Sequence, residues 1–560
     1  MSQRSQPDDR PAEPVGSPME TGVRGDLEWG TTPALVLSAA ARLGDRPAIV
    51  DGDLTISFAD LAARVEHACR AFLAAGVEAG DRVSIWAPNL WEWIVTALGL
   101  HAAGGVLVPL NTRFKGHEAG YVLEKSGARL LFTVTGFLDT DYVALLRDAL
   151  GGPDGDRPVA GLDALDRIVV LRGEAPLGTQ SFADFLEEGG SVSAADARAR
   201  AASVRPGDLS DILFTSGTTG KPKGVMTAHG QNLRAFYDWA TVVGLREGDR
   251  YLIINPFFHA FGYKAGILAS LMKGATIYPQ PVFDVPEVMQ RVARERITML
   301  PGPPTLYQTI LNHPDFESFD LSSLRLAVTG AAAIPVELIL RMRDELTFET
   351  IITGYGLTEA CGIATMCRFD DDPETIATTS GRAIPDVEVR CVDDDGNEVP
   401  RGEPGEVVVR GYNVMLGYLD EPEETAATID ENGWLHTGDI GVMDERGYLK
   451  ITDRKKDMFI VGGFNAYPAE IENLMLANDK IAQVAVVGVP DERLGEVGCA
   501  FVVLRPGAAA TGEEIVAWCR ERMANYKVPR RVEIVESLPM NATGKVLKYE
   551  LREWAAKGGV

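Results

Sequence analysis

At 560 residues the chain can bury several cores, and more than one domain is expected. Its 54 basic and 80 acidic residues leave a net charge of −26, which excludes the basic face that nucleic-acid binding needs. No apolar run approaches a membrane span, and residues 1–28, charged and proline-containing without an apolar stretch, exclude a secretory signal and predict a disordered tail.

An apolar content of 46% is ordinary for a globular protein. The six cysteines lack zinc-ligand or redox spacing, so reduced thiols in a cytoplasmic protein are expected. In residues 31–75, helix-like Ala/Leu segments surround Ala48-Ile49-Val50 and Ser57-Phe58. Strands are predicted at 83–86, 106–110 and 130–134, with a helix around 91–100 between the first two. This alternation predicts an α/β fold of layered helices on mostly parallel sheets. Residues 189–205, rich in Ser, Ala and Arg, are expected to connect this lobe to the next motif.

That motif, DILFTSGTTGKPKG at 211–224, follows a short apolar strand with three glycines (Gly217, Gly220, Gly224), four hydroxyls (Thr215, Ser216, Thr218, Thr219) and two lysines (Lys221, Lys223). Glycine lets backbone N–H groups approach an anion, and hydroxyls and lysines add donors and charge, a composition suited to a polyphosphate. A plain surface loop is the alternative. A P-loop is excluded because Pro222 occupies the second glycine position counted from Gly217, and a dinucleotide fingerprint at Gly354-Tyr355-Gly356 fails because Glu359 replaces its third glycine.

Further along, NPFFHAFGYK (255–264) surrounds His259 with aromatic rings, which by itself reads as core. A strand at 324–329 turns at Gly330-Ala331-Ala332-Ala333 into a helix over 335–346, and a strand at 350–353 leads into Gly354-Tyr355-Gly356-Leu357-Thr358-Glu359. Glu359 alone could be a helix N-terminal carboxylate, Asp439 in WLHTGD a turn residue, and the charge run 453–457 a solvated linker. β patterns recur at 405–411 and 448–452. The last hundred residues alternate helix (from 468), strands (482–487, 500–504), helix (513–523) and strand (531–535), which fits a separate compact domain. Lys545, in PMNATGK, would by default be a solvated loop lysine.

The 211–224 loop, the 255–264 aromatic cluster, GYGLTE, TGD with DRKKD, and the terminal Gly-Lys occur in the order seen in adenylate-forming enzymes. The chain from about 30 to 555 therefore resembles that superfamily of acyl-CoA synthetases, peptide-synthetase adenylation domains and luciferases. The resemblance implies a large domain at 29–455 and a small mobile α+β domain at 456–560, hinged at Lys456. It implies ATP contacts from Thr215 to Lys221, Lys223, Gly224, Gly330, Ala331, Ala332, Gly354, Tyr355, Gly356, Asp439 and Arg454. Tyr355 would stack on adenine, Asp439 would accept both ribose hydroxyls, Thr358 would touch phosphate, and Glu359 would hold Mg²⁺. Lys545 becomes the catalytic lysine, His259 a gate and orienter of the carboxylate, and Gly462, Gly463 and Phe464 part of the CoA channel.

The resemblance further implies an ATP-dependent ligase that joins a carboxylic acid to CoA through an acyl-adenylate. Small residues suggest room for a bulky acyl group, with Phe258, Gly262, Gly302 and Ala333 as pocket candidates. The strings NPFFHAFGYKAG, LPGPPTLYQ and DLSSLRLAVTGAA are similar to ligases of steroid-ring breakdown, which act on a hexahydroindanedione propanoate; medium- or long-chain fatty acids are the alternative. An acyl-AMP-forming or luciferase-like protein is the reading of another class. Partners are expected to be the acid, ATP and CoA, with a homo-oligomer left open.

Overall fold

A computed structural model describes residues 29–155, 157–215, 222–330, 334–393, 395–454, 459–466, 468–539, 546 and 548–557. The expected tail, Ser216 to Lys221, Ala331 to Ala333, Lys456 and Lys545 lie outside the described residues.

Two separate apolar cores organise the described chain. One runs from Trp29 to Leu449 and the other from Phe459 to Ala555. The larger lobe holds an eight-stranded sheet. Its central strands Leu209–Thr215, Val106–Pro109, Arg82–Trp86, Leu130–Val134 and Arg167–Arg172 are parallel. Their mostly apolar, mostly buried residues suit strands covered on both faces. The helix Trp91–Ala102 is buried at every position from Glu92 onward, because it is apolar on all sides. The one carboxylate on it, Glu92, is neutralised by Arg172 at 2.7 Å.

A second, mostly parallel sheet contains Arg250–Ile253, Thr276–Pro279 and Pro47–Asp51. Parallel bridges through Met299 connect it to Leu326–Thr329 and Thr350–Tyr355. A third sheet, Val387–Val392, Pro404–Gly411, Leu435–Met443 and Leu449–Arg454, is wholly antiparallel and adds to the parallel layers expected from the sequence. The small lobe is α+β: the hairpin Phe459–Val461 and Phe464–Ala466 joins the long antiparallel pair Ile481–Asp491 and Gly495–Leu504, with Arg531–Ile534 alongside.

Residues 189–205, expected as a connector, carry secondary structure of their own. They contain the helix Ala194–Ser203, capped by the Ser193 hydroxyl, which accepts the Asp196 N–H at 3.1 Å. Alanine and arginine favour helix once a cap satisfies its first amides. Among the described residues no helix is long and apolar enough to cross a membrane.

Candidate active site

The polyphosphate motif sits on a hairpin. Strand Leu209–Thr215 pairs antiparallel with Lys223–Ala228, bringing Thr215 opposite Lys223 and Phe214 opposite Gly224. Gly224 is required by close packing, since a Cβ there would lie 2.8 Å from Ile212 Cγ2 and 3.2 Å from Leu419 Cβ. Below the hairpin is a fully buried polar knot. Lys264 Nζ lies 2.9 Å from Asp211 Oδ1, and both side chains are 0% exposed. Thr227 Oγ1 donates to Asp211 Oδ1 at 2.9 Å, while Ser210 Oγ and Asn232 Nδ2 each donate to Oδ2 at 2.6 Å. Burying a charge requires this density of partners. The knot binds the helix His229–Val243 and the π-helix Phe261–Leu268 to the hairpin.

On the far edge of the hairpin, Gly417–Tyr418 pairs with Met226 and Val225. The Tyr418 hydroxyl then donates to Glu359 Oε1 at 2.9 Å, and Lys223 Nζ lies 5.0 Å over the Tyr418 ring while ion-pairing with Glu424. Burial first, and the Glu359 carboxylate second, push the Tyr418 phenol far up, so it remains a donor. Glu359 and Thr358 form the short turn Thr358–Ala360, whose Glu359 carbonyl accepts the Met415 amide at 2.8 Å. Tyr418 and Glu424 carry no local signal in the sequence; only the strand pairing exposes their role.

Tyr355, at the end of Thr350–Tyr355, donates from its hydroxyl to Asp439 Oδ2 at 2.6 Å. Asp439 is directly opposite Arg454 across the antiparallel pair. Motifs separated by 84 residues thus share one hydrogen bond. Gly356 admits no side chain, because a Cβ would meet the Gly362 carbonyl oxygen at 2.3 Å. Gly330 ends the adjacent strand, and a Cβ on it would stand 3.4 Å from the Gly354 carbonyl oxygen.

His259 is exposed just before the π-helix, and its Nδ1 accepts the Phe261 amide at 3.2 Å. In the neutral ring the proton is therefore on Nε2, leaving a donor suited to orienting a carboxylate. Phe258 is half-buried beside it. Gly262 and Gly302, both expected at the acyl pocket, are closely packed. The side-chain space at Gly262 is taken by the Pro256 carbonyl oxygen at 2.1 Å, and that at Gly302 by Leu306 Cδ2 at 2.4 Å.

In the small lobe, Gly462 and Gly463 turn the hairpin with φ of 55° and 84°, a region glycine adopts without strain. Phe464 after them stacks on Tyr526, with centroids 5.0 Å apart at 26°. Arg113 of the large lobe covers the Phe464 ring at 4.1 Å.

The strand pairings and hydrogen bonds thus bring Tyr355 onto Asp439, and Tyr418, beside Lys223, onto Glu359. Residues 37–419 match the family described as AMP-binding enzyme, and residues 470–545 match the AMP-binding enzyme C-terminal domain. The chain belongs to the AMP-binding enzyme family, and its class is that of AMP-forming acyl-CoA synthetases, which take an acid, ATP and CoA. It is 52% identical over 524 residues, 93% of this chain and 98% of the relative, to a 3-(7a-methyl-1,5-dioxo-octahydro-inden-4-yl)propanoyl:CoA ligase of Rhodococcus jostii. A ligase of the same description from Mycobacterium tuberculosis is 51% identical over 93% of this chain and 98% of its own length. Among solved structures, Bacillus subtilis o-succinylbenzoate CoA synthetase, a double mutant bound to its product analogue OSB-NCoA, matches with TM-score 0.75 and 27% identity, covering 93% of this chain and 98% of that one. The same synthetase with the acyl-adenylate OSB-AMP matches with TM-score 0.61 and 28% identity over 92% and 97%.

Proposed function

We propose that the chain converts a hexahydroindanedione propanoate, a two-ring remnant of a steroid nucleus, to its CoA thioester, releasing AMP and pyrophosphate. The observation that supports the ligase reading is the Tyr355–Asp439 hydrogen bond at 2.6 Å, which joins two of the dispersed motifs that the nucleotide reading assigns to adenine and ribose. The substrate rests on the two ligases that share half of this sequence across nearly its whole length.

In the first step the acid's carboxylate oxygen attacks the α-phosphorus of ATP, and pyrophosphate leaves with the cleaved P–O electron pair. An anion meets a polyanion here, so the protein's task is fixed positive charge and positioning. The amides of the 216–221 segment and Lys223 hold phosphate oxygens, Tyr355 presents its face to adenine, and Asp439 accepts from the ribose. Lys545 bridges carboxylate and α-phosphate, while His259 orients the acid. Thr358 contacts phosphate, and Glu359 suits Mg²⁺, which takes few carboxylates alongside water and phosphate. When bound, it supplies charge neutralisation for the departing pyrophosphate.

In the second step the CoA thiolate attacks the acyl carbon, and AMP leaves with the C–O electron pair. We take 29–455 and 456–560 as the two domains, with Lys456 as hinge. Of the two states of the Bacillus synthetase, the one holding a CoA product analogue superposes better, which supports reading the present lobe arrangement as thioester-forming. Six free, buried cysteines and the supply of ATP and CoA fit a cytoplasmic enzyme.

The test is a coupled assay of AMP release across sterol-derived propanoates, medium- and long-chain fatty acids and aromatic acids, with and without CoA. CoA-dependent turnover highest on the bicyclic propanoate is expected. Preference for a fatty acid would overturn the substrate, and acyl-AMP accumulating in the presence of CoA would overturn the ligase. Lys545→Ala is expected to slow adenylate formation by about 10²–10³ while a supplied acyl-adenylate still reaches thioester; equal loss of both half-reactions would remove that assignment.

A further inference from the structure

The two lobes meet through a buried ammonium that the nucleotide and acyl chemistry does not use. Lys527, in the small lobe after helix Gly512–Arg522, is 1% exposed. Its Nζ donates to Glu470 Oε1 at 2.6 Å, on the small lobe's helix Pro468–Leu476, and to Glu118 Oε1 at 2.7 Å, on the large lobe's helix Gly116–Ser126. The Phe114 ring lies 5.0 Å from the same ammonium. One cation therefore binds two carboxylates, one from each side of the lobe boundary.

The helix carrying Glu118 also touches the nucleotide site. Its Tyr121 hydroxyl donates to the Pro222 carbonyl at 3.3 Å, at the end of the polyphosphate segment, and its Lys125 pairs with Glu421 at 2.8 Å. Beside the ammonium, Tyr526 carries the stacked Phe464, which Arg113 covers from the large lobe. A single contact zone thus seats the Gly462–Phe464 turn against the large lobe.

We infer that Lys527 and Glu118 are positioning residues for the CoA half-reaction: their buried ion pair selects the lobe arrangement that presents the Gly462–Phe464 turn to the nucleotide site. Glu470 travels with Lys527 and keeps it paired whichever way the lobe turns. Glu118 is the partner made only in this arrangement, so it contributes differential stability between arrangements, which is what moves such an equilibrium. Burial pulls the Lys527 ammonium's affinity for its proton down, but Tyr526, Glu470 and Glu118 together push it further up, so the cation is present at neutral pH. The inference rests on the proposed function, in which this lobe arrangement is the thioester-forming one.

Glu118→Gln tests it in the full chain, keeping the side chain's size and an acceptor for the Lys115 amide that Glu118 caps at 2.9 Å. Three quantities are measured: thioester formation from purified acyl-adenylate at saturating CoA, ATP–pyrophosphate exchange, and energy transfer between one dye on each lobe. The thioester rate is expected to fall about tenfold, exchange to stay within about twofold, and the dye signal to shift away from this arrangement, because loss of one partner of a buried charge pair weakens that state alone. Lys527→Arg, which retains the charge with Glu118 intact, is expected to keep most of the wild-type rate. Equal loss in both half-reactions, or an unchanged thioester rate, would overturn the inference. Should the wild type make no thioester from any acid, the functional reading fails, while the dye signal of Glu118→Gln still tests the pair.

Discussion

Lys264→Met removes the cation from the polar knot beneath the polyphosphate hairpin. Lys264 and Asp211 are fully buried at 2.9 Å, so the variant leaves Asp211 as an uncompensated charge in the core. Breaking such a pair typically costs about 3–5 kcal/mol. Three donors stay on the carboxylate, from Thr227, Ser210 and Asn232, so the loss belongs near the lower end, about 3 kcal/mol. The large lobe runs from about residue 29 to 449. At roughly 2.1 cal/mol/K per residue, its unfolding entropy is about 0.9 kcal/mol/K, so the expected loss in melting temperature is about 3 °C. The measurement is calorimetry at fixed scan rate. Lys264→Met with Asp211→Asn, which neutralises both sides, is expected to recover at least half. A single-variant shift below about 1 °C, or a double variant no better than the single, would refute the argument that the charge itself sets the cost.

Tyr355→Phe removes the hydroxyl that holds Asp439 at 2.6 Å, and a hydrogen bond to a charged group is worth about 1.5–3 kcal/mol, so KM for ATP should rise about tenfold with kcat largely kept; steady-state kinetics decides it. Tyr418→Phe frees Glu359 from its 2.9 Å donor and should raise the Mg²⁺ concentration for half-maximal rate several-fold, read from a metal titration at saturating ATP. His101 is buried with its pKa lowered to about 4 by burial, so the folded state holds it neutral while the unfolded chain takes up a proton below about 6.5. Its contribution to stability is whole above about pH 6.5 and is lost as pH falls toward 4, up to roughly 3 kcal/mol, and His101→Gln should flatten the melting temperature over that window.

How much was legible in advance depended on where the determining partners lie. The strands announce themselves through their apolar stretches at 83–86, 130–134 and 212–215, because a strand covered on both faces is mostly apolar. The glycine, hydroxyl and lysine run of 211–224 is local chemistry and could be read from the sequence, although its six residues 216–221 lie outside the described structure. Helix Ala194–Ser203 was hidden because its composition also suits a loop, and only its cap distinguishes the two. At Gly262 and Gly302 the absence of a side chain has two readings, open space or close packing, and Pro256 and Leu306 stand where a Cβ would be. Tyr418, Glu424 and Glu118 were unreadable because their partners stand 59, 201 and 409 residues away, joined by strand pairing and lobe contact that no local pattern encodes.

The two kinds of buried charge in this molecule imply different mechanical duties. Asp211 and Lys264 lie within one core and are held on several sides by elements of the same lobe, so their pairing breaks only when the lobe unfolds. Lys527 sits where two cores face each other and has a carboxylate from each. If it were paired only across the boundary, turning the small lobe would strand a buried ammonium at high cost. Because Glu470 lies on the same lobe as Lys527, the proposed reorientation would exchange a single carboxylate for water. An apolar interface of the same area would resist turning through its full hydrophobic burial. Among the described residues this boundary carries the shared cation and the Phe464 ring under Arg113, a contact that the proposed two-step reaction would form and release in each cycle.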